Sequence, residues 1–173
     1  DKKLQFISSA ASGSQDLLKP LNLEFNHKLK NFDSLKIELT DTLYSPDKAA
    51  IVNIDTTRKI VTVRNAWHDN ADYRLIIPKD FGEDSSGVAL LKSDTIQLKT
   101  RKEGDYGSIK INFKNLTKFK NPVLEFILNN EIVNSYPLKS TSWSMKLFAP
   151  GDYEVRILED DNKNGVWDTG NYH

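Results

Sequence analysis

Apolar residues alternate with polar ones along most of this chain, and a period of two leaves little choice of architecture. Leu21, Leu23 and Phe25 alternate with Asn22 and Glu24, and Tyr73, Leu75 and Ile77 run up to Pro78. Ile109, Ile111 and Phe113 repeat the pattern, as do Leu124, Phe126 and Leu128, then Trp143, Met145 and Leu147, then Tyr153, Val155 and Ile157. Successive side chains of a strand point to opposite faces, so each run turns one face to a core and the other to water. Apolar residues at i, i+3 and i+4 are sustained over no stretch of about ten residues, which removes helices as the main element. The chain is predicted to be all-β.

Taken in order, Leu4 and Phe6 begin a strand and residues 8–15 read as a polar loop. Residues 21–25 form the next strand, and Leu35, Ile37 and Leu39 predict another. Residues 51–55 and 59–63 flank the turn Asp55-Thr56-Thr57-Arg58 and predict a β-hairpin. Trp67 is expected in the core. Residues 79–93, with Gly82 and Gly87, predict a long loop with room for one helical turn, and residues 95–100 a last strand with Ile96 and Leu98 on one face. About seven short strands separated by turn signals predict a sandwich over the first hundred residues. The charged, glycine-bearing Lys102-Glu103-Gly104-Asp105 marks a domain boundary, giving domains at 1–101 and 102–173. In the second, Asn129-Asn130 makes a tight turn into a return strand over 131–136, Trp143 faces the core, and Pro150-Gly151 reverses the chain.

That last strand leads into Asp160-Asp161-Asn162-Lys163-Asn164-Gly165-Val166-Trp167-Asp168-Thr169-Gly170. Oxygen-bearing side chains at Asp160, Asn162 and Asn164, followed by Gly165, match the D-x-[DN]-x-[DN]-G spacing of a calcium loop. In that register the Val166 carbonyl takes the seventh position and Asp168 the ninth. The twelfth is Asn171, which lacks the bidentate carboxylate of an EF-hand, and the flanks carry no helical pattern. The same residues also make a plain tight turn, because Asx side chains bond nearby backbone and glycine supplies positive φ. Both readings stand on the sequence. Calcium here would be structural and weakly held, and Trp167 is expected to cap the end of the sandwich.

Function classes narrow by exclusion. Lys and Arg number 24 against 24 Asp and Glu, interspersed, so there is no electrostatic footprint for nucleic acid or an anionic membrane. With no cysteine, thiol nucleophiles, disulfides and zinc–thiolate sites are ruled out. No apolar run approaches the length of a membrane span. His27, His68 and His173 are scattered without ligand spacing, and His68-Asp69 reads as loop neighbours rather than a catalytic pair. No nucleophile elbow is present, and the stretch from Ser8 to Gln15 lacks the lysine of a phosphate loop. Binding is therefore the expected class, through aromatic faces or through strand edges that a neighbouring protein extends.

The segments Ala149-Pro150-Gly151-Asp152-Tyr153-Glu154-Val155-Arg156 and 160–170 resemble the end of Bacteroidetes envelope proteins carrying bacterial Ig-like domains. Pro20-Leu21-Asn22-Leu23-Glu24-Phe25-Asn26, Trp67 and Tyr73-Arg74-Leu75 are similar to parts of the S-layer-type bacterial Ig-like domain in those proteins. The resemblance implies two tandem β-sandwich domains, Ig-like then prealbumin-like, in an exported, non-enzymatic protein of the cell envelope. It also implies an outer-membrane anchor through a lipidated cysteine upstream of Asp1, a chain that runs on past His173, and other envelope proteins as partners. A glycan-binding accessory module of a polysaccharide-handling system is the alternative.

Overall fold

The computed structural model describes residues 2–160. The chain divides into two compact units, Asp1–Asp105 and Tyr106–His173, and both are built of strands.

The first unit contains β1 (Phe6–Ser8), β2 (Ser14–Gln15), β3 (Leu21–Phe25), β4 (Leu29–Lys30), β5 (Glu38–Thr40), β6 (Ile51–Ile54), β7 (Ile60–Arg64), β8 (Asp72–Ile77), β9 (Glu83–Asp84) and β10 (Asp94–Thr100). One sheet runs β1-β3-β7-β6 and the other β2-β10-β8-β5, with a small β4-β9 ribbon beside them. The alternating residues do what their period dictates. Leu21 and Leu23 sit directly across from Val63 and Val61. From the opposite sheet Leu39, Leu75, Ile77 and Leu98 close the same buried cluster. Between β6 and β7, Asp55 holds the turn by accepting from the Thr57 hydroxyl (2.6 Å) and the Ile60 N–H (3.1 Å).

The order of strands is Ig-like. The chain enters as β1 on one sheet, then crosses to the other as β2, parallel to the last strand β10. Tyr73, at the start of β8, supplies the tyrosine corner of such sandwiches. Its hydroxyl accepts the His68 N–H at 3.0 Å, and its ring meets Trp67 edge-on at 5.2 Å. Trp67 is buried and donates its indole N–H to the Lys19 carbonyl (3.0 Å). Tyr73→Phe leaves the ring contacts and orphans the His68 N–H, so a loss of about 1 kcal/mol in urea unfolding is expected. An unchanged midpoint would mean that the hydroxyl contributes nothing to the corner.

The second unit contains β11 (Gly107–Asn112), β12 (Pro122–Leu128), β13 (Glu131–Pro137), β14 (Ser142–Phe148) and β15 (Glu154–Glu159). β11 pairs with β14, and β12 lies between β13 and β15. Leu124 and Phe126 on β12 pack with Ile109, Ile111, Trp143 and Met145 into one core, so the two sheets form a sandwich. Asn129 and Asn130 have φ of 52° and 64°, the left-handed pair that a two-residue hairpin turn needs to match the strand twist.

Three expectations are corrected. Leu35, Ile37 and Leu39 do not share one strand. The Asp33 carboxylate accepts the Leu35 N–H (3.0 Å) and winds residues 34–36 into a 3-10 turn, leaving Leu35 86% exposed and only Glu38–Thr40 paired as a strand. A side chain bonding its neighbouring backbone has overridden the alternation. The polar stretch 8–15 is not all loop, because Ser14–Gln15 pairs with β10 and the buried Gln15 amide donates to the Lys19 carbonyl (2.8 Å). The long segment 79–93 holds no helical turn. It is tied down by β9, by the fully buried Phe81 and by Asp84, whose carboxylate accepts from Ser86 and Val88.

Candidate functional site

The first unit has an open flank where its two sheets part, and a cavity of about 590 Å³ lies there, beside β1 and the approach to β10. Leu4, Phe6, Ile7, Phe25, Leu90 and Leu91 give it apolar walls, and Lys3, Lys92, Glu24 and Asp94 supply charges of both signs. Its floor runs into the core, where Phe6 packs at a tilt on Phe25 (5.3 Å between ring centres) and Phe25 on Phe81 (5.4 Å). Its lips are apolar and in water, with Ile7 and Leu91 each 74% exposed. Single exposed apolar side chains are common, and what sets these two apart is that they flank an apolar cavity.

Two edge strands reach the cavity, β1 through Phe6 and Ile7 and β10 only through Asp94. On β10, Thr100 donates its N–H to the Ala71 carbonyl (2.9 Å) on the β8 side, whereas Lys99 donates to the Gly13 carbonyl (2.7 Å) on the β2 side. Backbone groups alternate in direction along an antiparallel strand, so Thr95 and Gln97 point away from β8 as Lys99 does. β2 pairs only with Lys99 and Thr100, and no described strand pairs with that edge over residues 94–98. Asp94 partly screens it by accepting the Thr95 N–H (2.8 Å). On β1, Gln5 and Ser9 bond toward β3, so Phe6 and Ser8 face the other way, again without a described strand beside them.

Of the sequence-predicted calcium ligands, only Asp160 falls among the described residues. It follows β15, is 2% exposed, and donates its backbone N–H to the Asn121 carbonyl (3.1 Å). Asn162, Asn164, Val166 and Asp168 lie outside the described residues, as do Trp167 and His173. Among the described residues no group of three or more His, Asp or Glu is placed to hold a metal ion. His68 is committed through its backbone, donating to Tyr73 and accepting from the Thr100 hydroxyl, while the Asp69 carboxylate accepts the Glu103 N–H at 3.4 Å. His27 lies elsewhere, in a shallow polar depression with Lys28, Lys59 and Ser85. Trp143 packs against Phe126 (5.2 Å) and Tyr136 (4.9 Å) in the second core.

Sequence reading missed two features. The groove had one signal, the pair Leu90-Leu91 inside an otherwise polar stretch. The second is Glu125 on β12, which has no exposed surface and whose two carboxylate oxygens have no hydrogen-bond partner. Burial pushes its carboxyl above the ordinary carboxylate range, while Arg156, its cross-strand neighbour, pulls the other way more weakly. The signal was Val123-Leu124-Glu125-Phe126-Ile127, apolar at every position but Glu125, which is close to the run of a strand buried on both faces.

No family model matches this sequence, and no curated protein matches it. Among solved structures the chain is similar to native alpha-2-macroglobulin from Escherichia coli, in a crystal structure spanning domains MG0-NIE-MG1, at 12% identity and a TM-score of 0.46. The alignment covers 94% of this chain and 68% of that one. So distant a likeness assigns nothing, and the β-sandwich architecture rests on the strand pairing and shared cores described above.

Proposed function

We propose that this chain is a non-enzymatic protein-interaction module of the cell envelope, which engages a partner protein through the apolar groove beside β1. The observation that carries the reading is the pair of exposed lips, Ile7 and Leu91, over a floor of core phenylalanines. The envelope setting is what the sequence resemblance implies. Glycan stacking has less to support it, since Trp67 and Trp143 are packed into the two cores. To test the reading, a photo-crosslinking residue replaces Leu91 in the cells that make the protein, with the same residue at Leu43, an exposed apolar position outside the groove, as control. The expected result is a discrete crosslinked partner from position 91 and none from 43. Equal products at both positions, or none at either, would sink it.

In the same proposal calcium is a structural ion held by Asp160, Asn162, Asn164, the Val166 carbonyl and Asp168. Ligand that binds only the folded state stabilises it, by about 1.4 kcal/mol at ten times the dissociation constant, and so raises the unfolding midpoint. Thermal unfolding in millimolar calcium should therefore exceed that in excess EGTA, and Asp168→Ala should remove the difference. Superimposable curves would make the segment a shaped turn.

A further inference from the structure

We infer that ionisation of Glu125 draws the Arg156 guanidinium across the β12–β15 ladder and off Glu154, so that the second unit carries an ion-pair switch worked by pH. The switch is independent of the groove on the first unit.

β12 is the middle strand of its sheet, and Leu124 and Phe126 turn toward the core. Alternation sends Val123, Glu125 and Ile127 to the other face, where all three are buried. Neither oxygen of the Glu125 carboxylate has a hydrogen-bond partner. Directly across the ladder Glu125 meets Ser135 on β13 and Arg156 on β15. On that face of β15 the neighbours of Arg156 are Glu154, opposite Ile127, and Leu158, opposite Val123. From β13 the same face receives Ser135, Pro137 and Ile132, none of which titrates. The titratable Tyr136 and Tyr153 lie on the core side, against Phe126. Among the described residues, Arg156 is thus the cation placed to answer a charge on Glu125.

In the structure Arg156 serves another carboxylate. Its Nε is 4.0 Å from the Glu154 Oε1, and both side chains stand largely in water. A pair of that kind contributes little, because solvent screens it and two long side chains must be held in one geometry. A buried carboxylate without a partner is tolerated while neutral. Once ionised it is an uncompensated charge in surroundings that solvate it poorly. The two competitors for Arg156 therefore change rank as Glu125 loses its proton. Opposed residues of an antiparallel pair stand close enough for the exchange to need only a change of rotamer. Burial raises the Glu125 carboxyl and Arg156 lowers it more weakly, so the pairing offsets part of the cost of ionisation rather than all of it. The exchange has an outward consequence, since it leaves Glu154 as a bare surface carboxylate on β15.

The test follows the Glu125 carboxyl carbon and the Arg156 Nε resonance by NMR through a pH titration of the full chain. The Arg156 resonance is expected to move with the Glu125 midpoint, and that response to vanish in Glu125→Gln. Arg156→Gln should raise the Glu125 midpoint by about one pH unit or more, the effect of losing a nearby opposite charge. Glu154→Gln should lower it, because the guanidinium is then uncontested. Both of these substitutions fall on exposed side chains. A Glu125 midpoint that Arg156→Gln leaves in place overturns the pairing, as does an Arg156 resonance indifferent to Glu125. A midpoint that answers to Arg156→Gln but not to Glu154→Gln means a fixed field and overturns the exchange. Unfolding of the chain before Glu125 ionises overturns the switch as well, since the folded state would then never operate it.

Discussion

Phe126→Ala should cost the second unit about 3–5 kcal/mol, the range for removing a fully buried phenylalanine. Its ring has no exposed surface and touches four others, with centroids 4.8 Å from Phe148, 5.2 Å from Trp143, 6.0 Å from Tyr153 and 6.1 Å from Tyr136. Truncation leaves a void lined by large rigid rings, which close around it poorly. The remaining buried members of that core are Leu124, Leu138 and Phe148, so little is left to offset the loss. Small sandwiches have net stabilities of about 5–15 kcal/mol, and a loss of this size consumes much of that. Hydrogen exchange at the β12 and β13 amides should accelerate accordingly, and Trp143 emission should shift red. A loss below about 1 kcal/mol would show that the aromatic cluster is not what holds the two sheets together.

Glu125→Leu should do the reverse and stabilise the protein at neutral pH by about 1–3 kcal/mol, the cost of burying a polar group without a partner. The acid–base behaviour follows from the direction of the shift. Burial raises the folded carboxyl above its unfolded value. Below the unfolded value both states are protonated and the stability is fully present. As pH rises from there through the folded value, the unfolded chain releases its proton first, so the folded state becomes progressively less favoured. Above the folded value the loss is complete and the curve is level. Wild type is therefore expected to lose stability across that window, and Glu125→Leu to show a flatter profile. Glu125→Gln, which cannot titrate, should flatten it as well. A wild-type curve parallel to both variants would mean that the carboxylate has found a compensating partner. Arg156 is the residue to examine for that, since it lies directly across the ladder and is 4.0 Å from Glu154 instead.

The acidic segment at 160–170 was the most distinctive motif in the sequence, and its test is the calcium titration. The groove was nearly invisible there. Ile7 and Leu91 belong to stretches far apart in the chain, and each read as an ordinary strand or loop residue. Only the crossing of the chain from β1 to β2 opens the flank that they border. The Leu35 segment illustrates the opposite failure. Its alternation was real, but the Asp33 carboxylate was close enough to capture the Leu35 N–H and wind the backbone.

What the sequence determined by itself is everything that follows from a period of two: the all-β class, the inward faces of β3, β8 and β12, and the hairpin at Asn129-Asn130. Those are local, since alternation and turn chemistry act between neighbours a few residues apart. The tertiary structure alone decided which strand edges were left unpaired, which apolar side chains were stranded in water, and that Glu125 is shut away from it. Such features depend on what packs against a residue from distant parts of the chain. Val123 and Ile127 put apolar residues on the same face as Glu125, but whether that face is covered depends on parts of the chain far from it.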